Sequence, residues 1–484
     1  MAAVPGNADC FCGGGADLNL KVGIYMGMLK NVARNIFNKL PVSCQEAYRH
    51  PGLKNQIKEL QILEQKTYCE RRMYQLKKVQ QLLAYAYEHT RYYRNLFDKN
   101  NIKPWDVQSL DDMKKIPVLT KDIVRDNLQD MISDVIPKDK LIYVTTGGST
   151  GKPLGFYISK EVDTKRLAFE WLHWNRMGYN MGDPCVILRG RVLSEGQWFA
   201  YEEENNFLVL STFLMKEELL PKYIAKIDEF SPVVIQAYPS AITILAKYML
   251  DNGVSLKKPI KAVSTSSEIL YKEQKMLIEK AFQAPVYDKY GNCEQVGVIG
   301  MQDDGYYHEF MEHSYLEFMN DDNKEARSGE YARIIGTSLI NDVVPFIRYE
   351  TGDMVKLSDN FGSEICSGDH GRPSTLIDSI QGRCSGDVMV TKYGNLVSVT
   401  GMNTHSDIFD HAKRIQYYQD TKGIVILKIV KTDEYNETDE AKIISELQTK
   451  FQHQVDLRIE YVEDIPRTAR GKYLYLDQRL KGLK

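Results

Sequence analysis

The sequence predicts an α/β protein: a large N-terminal domain of mixed and parallel sheets with covering helices, followed by a small α+β C-terminal domain. Three patterns predict it. Between residues 160 and 288, helical and strand-like runs alternate, the mark of a largely parallel sheet with crossover helices. From 308 to 358 the chain turns β-rich. After a polar, glycine-containing stretch at 382–387, a fresh set of strands and helices begins. A length of 484 residues exceeds what one hydrophobic core usually serves, so two or more domains are expected.

In chain order, residues 1–17 are rich in Gly and Ala, contain Cys10-Phe11-Cys12 and lack periodicity, so they read as a disordered leader. Residues 18–40 place Val22, Tyr25, Met26, Leu29, Val32 and Phe37 near helical spacing, with Lys21, Lys30, Arg34 and Lys39 among them. Such a helix could make peripheral contact with an anionic membrane surface; docking on its own domain is the favoured reading. Residues 45–99 are helical in pattern, with the longest amphipathic run over 60–87. Pro104, Pro117 and Pro137 mark turns, and 111–114 and 121–128 read as short helices, so 18–135 forms a helical N-terminal part of the large domain. Strand-like runs at 141–144 and 154–158 follow, then a helix over 160–177.

Strands are expected at 185–188, 233–238, 262–265 and 286–288, with helices at 219–230, 240–252 and 270–282 between them. The last section predicts strands at 388–390, 397–399, 424–430 and 457–462, and helices near 408–413 and 439–453. The large domain therefore spans 18–383 and the small one 384–484, with a hinge near 384–387. No internal repeat is visible.

Composition excludes several function classes. A net charge of −3 provides no field that would gather nucleic acid. No apolar run approaches the roughly 20 residues needed to span a bilayer, and residues 1–20 lack the basic start and apolar core of a signal peptide. The eight cysteines are scattered without paired spacing, which suits a reducing cytoplasm better than a disulfide framework.

The chemistry concentrates in Tyr143-Val144-Thr145-Thr146-Gly147-Gly148-Ser149-Thr150-Gly151-Lys152-Pro153, between two strand-like runs. Glycines allow backbone N–H groups to converge on one point, and hydroxyls and an ammonium add donors and positive charge. That is a loop suited to gripping phosphate. It is not a P-loop, because Thr146 stands at the first required glycine and Pro153 where the metal-binding hydroxyl belongs. Gly147-x-Ser149-x-Gly151 also spells a hydrolase nucleophile elbow, but that motif needs a helix after its serine, and here a strand is expected. Taken alone, the stretch reads equally well as an ordinary hairpin turn.

Three later stretches change that balance: Tyr290-Gly291-Asn292-Cys293-Glu294, Arg348-Tyr349-Glu350-Thr351-Gly352-Asp353, and Pro466-Arg467-Thr468-Ala469-Arg470-Gly471-Lys472. In this order, from about residue 40 to the C-terminus, the chain resembles the acyl-adenylate-forming superfamily of CoA ligases, luciferases and peptide-synthetase adenylation domains. Within it, the chain looks like the phenylacetate–CoA ligase-like branch found with capsular polysaccharide biosynthesis genes.

The resemblance implies that Thr145, Thr146, Gly147, Ser149, Thr150, Gly151 and Lys152 hold the β- and γ-phosphates of ATP, and that Tyr290 lies against adenine. Glu294 would bind Mg²⁺, a cation that favours carboxylate and phosphate oxygen. Gly291 and Cys293 complete that turn; the family usually has threonine at 293, and a thiol bonds the α-phosphate more weakly. Asp353 would accept from the ribose hydroxyls, and Arg383 would reach the ribose or phosphate region. Lys472 would swing in on the mobile C-terminal domain to neutralise charge on the α-phosphate and carboxylate. The family's hinge is usually G-R-x-D/K, whereas here Gly382-Arg383-Cys384-Ser385-Gly386-Asp387 leaves the pivot open. Ser267 and Glu268 follow a predicted strand where ligands of parallel sheets gather. Trp171, His173 and Trp174 read as core rather than as the wall of an acyl pocket.

Without the family, each of these stretches reads as a surface turn or a solvated basic tail. Some branch members hold structural zinc, but His308, Cys366, His370 and Cys384 lack compact ligand spacing, so zinc is not expected. The expected partners are ATP, a small carboxylic acid and an acceptor. CoA is the default acceptor, and an amine of a sugar or amino acid the runner-up. A non-catalytic nucleotide-binding relative is the remaining alternative, and retention of Glu294 and Lys472 speaks against it.

Overall fold

The computed structural model describes residues 48–146, 154–194, 196–360, 376–381, 388–398, 402, 407–466 and 475–480. The leader and helix expected over 1–40, the loop at 147–153, the hinge, Cys366, His370 and the 467–474 stretch lie outside the described residues.

The helical N-terminal part contains α1 (Leu53–Glu64), α2 (Tyr68–His89), α3 (Arg91–Lys99) and α4 (Lys121–Met131), with two 3₁₀ turns between α3 and α4. Helix α2 starts on a capping box, in which Thr67 and Glu70 satisfy each other's backbone N–H groups. Its buried face presents Val79, Leu82, Leu83 and Ala86 to a core shared with Phe156, Phe346 and Tyr349. The predicted strand–loop–strand appears as β1 (Ile142–Thr145) and β2 (Gly155–Ile158), paired antiparallel from Ile142↔Ile158 to Thr145↔Gly155. The described residues resume after the elbow-like lettering at 154 and form a strand, as the strand–loop–strand reading expects.

Helix α5 (Lys160–Arg176) leads into β3 (Cys185–Leu188), β4 (Phe199–Glu202), β5 (Phe207–Leu210), α6 (Leu220–Phe230), β6 (Val234–Ala237), α7 (Pro239–Asp251), β7 (Ala262–Ser266), α8 (Lys272–Phe282) and β8 (Val286–Gly291). There follow β9 (Val298–Met301), β10 (Tyr307–Glu309), β11 (Ser314–Met319), β12 (Tyr331–Ser338), β13 (Tyr349–Leu357) and β14 (Ile377–Gln381). Twelve strands form one sheet in the order β11-β12-β13-β14-β10-β9-β8-β7-β6-β3-β5-β4. Strands β5, β3, β6, β7 and β8 run parallel, and pairing turns antiparallel at β8–β9. One face of the parallel half packs on α6, α7 and α8 through Val186, Leu188, Ile235 and Val263. The opposite face, with Cys185, Ile187, Val234 and Ala262, packs on α1 and α5. Strands buried on both faces are apolar throughout, which is why the sequence reveals them as short continuous runs.

The C-terminal region holds the hairpin β15 (Val388–Val390) and β16 (Leu396–Ser398), then β17 (Ala412–Gln419), β18 (Ile424–Lys431), α9 (Glu437–Lys450), β19 (Asp456–Tyr461) and β20 (Leu476–Gln478). A separate four-stranded sheet runs β19-β18-β17-β20. The helix expected over 408–413 is a correction: residues 408–411 form a turn, and Ala412 already opens β17. Apolar Ile408, Phe409 and Ala412 mimic helical spacing, but pairing of Ala412 with Lys431 on β18 decides the conformation.

Candidate active site

The point where the sheet changes from parallel to antiparallel is also where its chemistry gathers. Strand β8 ends in Gly291, and the chain turns through Asn292–Gln295 before β9. The Asn292 side chain clamps this turn, its Oδ1 accepting from the Val296 N–H at 3.0 Å and its Nδ2 donating to the Tyr290 hydroxyl at 3.3 Å. Gln295 takes φ +57°, a left-handed conformation that tightens the turn. Close packing from below requires Gly336 on β12, where a Cβ would lie 2.1 Å from the Val296 carbonyl oxygen.

Strand β13 supplies the facing residues. Tyr290 donates its hydroxyl hydrogen to Asp353 Oδ2 at 2.9 Å, and Tyr349 donates to Glu294 Oε1, also at 2.9 Å. Thr351 bridges Ile334 O and the Asp353 N–H, which holds the bend at Gly352 (φ +75°). Tyr349 also meets Phe346 edge-on at 5.2 Å, and Phe346 meets Phe156 of β2 at the same distance. A rigid aromatic relay therefore joins the β1–β2 hairpin to the Glu294 carboxylate. Cys293 packs partly buried against this same core.

At the hairpin neck, Thr145 and Thr146 are buried. Thr146 N–H donates to Leu154 O, and the Leu154 N–H donates to Thr146 Oγ1, both at 2.9 Å. These two bonds fix the takeoff of the glycine-rich loop. Gly147, Ser149, Thr150, Gly151, Lys152, Arg383 and Lys472 lie outside the described residues.

One strand over, β7 ends in Ser266, and Ser267 takes φ +71°. Glu268 is buried, receiving the Ser240 N–H at 2.9 Å and the Ser240 hydroxyl at 3.1 Å. Its carboxylate thus sits on the N-terminus of α7, where the helix dipole favours negative charge. Arg189, immediately after β3, donates through Nη2 to Ser266 Oγ at 2.8 Å and Ser267 Oγ at 2.9 Å. Beneath the same edge, Lys289 pairs with Glu170 of α5 at 2.5 Å. Burial opposes ionisation of Glu170, but Lys289 and Arg166 outweigh it and hold its pKa down to about 2.

The sequence-expected residues Tyr290, Glu294 and Asp353 are therefore brought into one wall, and Ser267 and Glu268 stand beside them at the carboxyl edge. Tyr349 and Arg189 were missed. Tyr349 sat inside a quoted stretch, yet its hydroxyl's partner is 55 residues away. Arg189 follows a buried strand in a parallel sheet, and that position was the available signal.

Residues 389–478 match the CapK C-terminal domain. The chain is 25% identical over 418 residues to Protein CapK of Staphylococcus aureus, covering 84% of this chain and 89% of that one. It is 26% identical over 298 residues to the phenylacetate-coenzyme A ligase of Escherichia coli K12, covering 58% and 66%. A crystal structure of 2-hydroxyisobutyryl-CoA ligase in complex with 2-HIB-AMP and CoA superposes with a TM-score of 0.53 at 18% identity, over 87% of this chain and 92% of that one. The chain is therefore similar in sequence to CapK and to phenylacetate-coenzyme A ligases, and it shares the fold of 2-hydroxyisobutyryl-CoA ligase.

Proposed function

We propose that the chain activates a carboxylic acid with ATP and passes the acyl group to the thiol of CoA. The carboxylate oxygen attacks the α-phosphorus, the bond to the bridging oxygen breaks, and pyrophosphate leaves an acyl-adenylate. The thiol sulfur then attacks the acyl carbon, AMP departs and the thiol proton is released. The carrying observation is the single wall built from Tyr290, Glu294 and Asp353 at the switch of the large sheet.

In this reading Tyr290 lies along adenine, with its hydroxyl held by Asp353, and Asp353 accepts from the ribose hydroxyls. The loop at 147–152 surrounds the β- and γ-phosphates from its fixed neck. Glu294 would hold Mg²⁺, which takes one or two carboxylates together with phosphate oxygens. The Tyr349 hydroxyl on Oε1 sets the direction of that carboxylate, an arrangement that fits the ion. Bound there, the ion supplies neutralisation of phosphate charge. Arg383 and Lys472 belong to the segments around and beyond the hinge near 384–387, and Lys472 is the cation that the small domain brings to the α-phosphate. The names of the phenylacetate-coenzyme A ligase relatives support CoA as acceptor.

The test is carboxylate-dependent pyrophosphate release over an acid library, with and without CoA. Release is expected with at least one acid, with a thioester formed only when CoA is added. Lys472→Ala is expected to slow pyrophosphate release by at least about 100-fold while ATP affinity stays within about twofold. Equal release by mutant and wild type would remove Lys472 from the reaction, and an amide product with added amines in place of a thioester would move the acceptor.

A further inference from the structure

The carboxyl edge of the parallel strands holds a second set of residues beside the wall of Tyr290, Glu294 and Asp353. Arg189 stands at the end of β3, Tyr238 at the end of β6, and Ser266 and Ser267 at the end of β7. The guanidinium is fixed from three directions. Both serine hydroxyls take its Nη2, and its Cζ lies 5.6 Å from the centre of the Tyr238 ring. Among the described residues, Nε and Nη1 have no hydrogen-bond partner, so each still has a charged N–H donor to offer an anionic oxygen.

A second, independent observation lies just below. Gln236 on β6 is 5% exposed, and its Nε2 donor has no hydrogen-bond partner among the described residues. Register puts Gln236 opposite Ile187, two residues before Arg189, and two residues before Tyr238 on its own strand. On β7, Ser264 pairs with Gln236 and Ser266 lies two residues further on, so Gln236 and Ser266, which binds Arg189, project on the same face of the sheet. Leaving an amide donor buried and unbonded is costly, which marks it as one that a ligand group completes. Glu268, next to Ser267, has both oxygens bonded to Ser240 on α7.

Resting on the proposed adenylation, we infer that the acid carries a second anionic group, a carboxylate, gripped by Arg189 with the Gln236 amide beneath it. Because Arg189 crosses β6 to reach the serines of β7, its guanidinium lies about one strand spacing, roughly 5 Å, from β8. The two carboxylates of the substrate are therefore separated by only a few carbons. Arg189 is a specificity-determining residue; a purely apolar acid would leave its charge without a counter-anion and the Gln236 donor without a partner.

The experiment compares malonate, succinate, glutarate and adipate with chain-matched monocarboxylates in pyrophosphate release, for wild type, Arg189→Met and Arg189→Lys. Wild type is expected to favour a dicarboxylate by about 10- to 100-fold in kcat/KM, the worth of a charge-assisted bond pair. In Arg189→Met that ratio falls to near one, and Arg189→Lys, which keeps the charge without the planar guanidinium, is intermediate. Calorimetric binding of the same dicarboxylates, lost in Arg189→Met, gives a readout that does not need turnover. It supports the inference even if no acid yields pyrophosphate, an outcome that would instead defeat the proposed function. Equal loss for both acid series would mean that Arg189 holds the reacting carboxylate, and a raised KM for ATP that it grips phosphate. Either result, or the absence of a dicarboxylate preference in wild type, overturns the inference.

Discussion

Arg348 links the site to the interior through one side chain. It takes φ +50°, is buried, and pairs with Glu317 through Nε at 2.8 Å and Nη2 at 2.9 Å. Its Nη1 donates to the carbonyls of Lys114 and Ile116, and its own N–H to Thr337 Oγ1. The strained backbone is thus over-determined by five hydrogen bonds to four residues, and the next residue is Tyr349, which orients Glu294. Removing one member of a buried pair leaves an uncompensated charge at a cost of about 3–5 kcal/mol. Glu317→Ala should therefore lower the unfolding free energy by that amount in urea titration and also weaken ATP binding. A loss below about 1 kcal/mol would mean that the pair behaves as a surface bridge. The sequence revealed Glu294 and Asp353 because carboxylates sit in recognisable motifs. It did not reveal Arg348 as a strap, since its partners are spread from Lys114 to Thr337 and only the fold brings them together.

Helix α5 carries its chemistry inward. His173 is fully buried between Gly300 on β9 and the Phe310 ring, and neither ring nitrogen has a hydrogen-bond partner among the described residues. His313 is equally buried and bonds only weakly, to Gln295 at 3.3 Å. Burial, with the nearby Lys289 charge, holds both pKa values down to about 3. A depressed folded pKa gives stability that is full above the unfolded value of about 6.5 and is lost as pH falls toward 3, because the unfolded chain takes the protons first. Glu170 adds a loss beginning lower, from its ordinary range down to about 2. The urea midpoint should fall steadily from pH 6.5 to 4, and His173→Leu should flatten that slope by about one proton. An unchanged slope would show that His173 titrates normally in the folded state. Periodicity revealed this helix and its core reading, because Trp171 and Trp174 pack on one another and on Tyr179. The same reasoning failed at 408–413 and passed over β4 and β5. There, the strands are decided by pairing across their sheets rather than by local pattern.

Among the described residues, the C-terminal region meets the rest of the chain at Phe213, Lys216 and Tyr143. Phe213, in the segment after β5, is buried in the same apolar cluster as Met389, Val397 and Leu427. Lys216 stands 4.8 Å from the Tyr393 ring centre, and the Tyr143 hydroxyl donates to Asp410 at 3.0 Å. Tyr143 lies on β1, the strand that enters the phosphate-loop segment, so the docked region touches the element whose loop is proposed to hold ATP. Burial and the adjacent Asp410 both push the Tyr143 hydroxyl well above its ordinary pKa, which keeps it a donor at any working pH. The proposed function, with its two half-reactions, would need this docking to be strong enough to order the site and weak enough to release. Phe213 is the apolar part of that balance. Truncating a buried phenylalanine costs about 3–5 kcal/mol, and at this position the cost falls on docking rather than on either sheet. Phe213→Ala should split thermal unfolding into two transitions, raise the radius of gyration in small-angle scattering, and speed proteolysis between residues 381 and 388. A single transition with an unchanged scattering profile would mean that the contact only fills a core and does not govern the attachment.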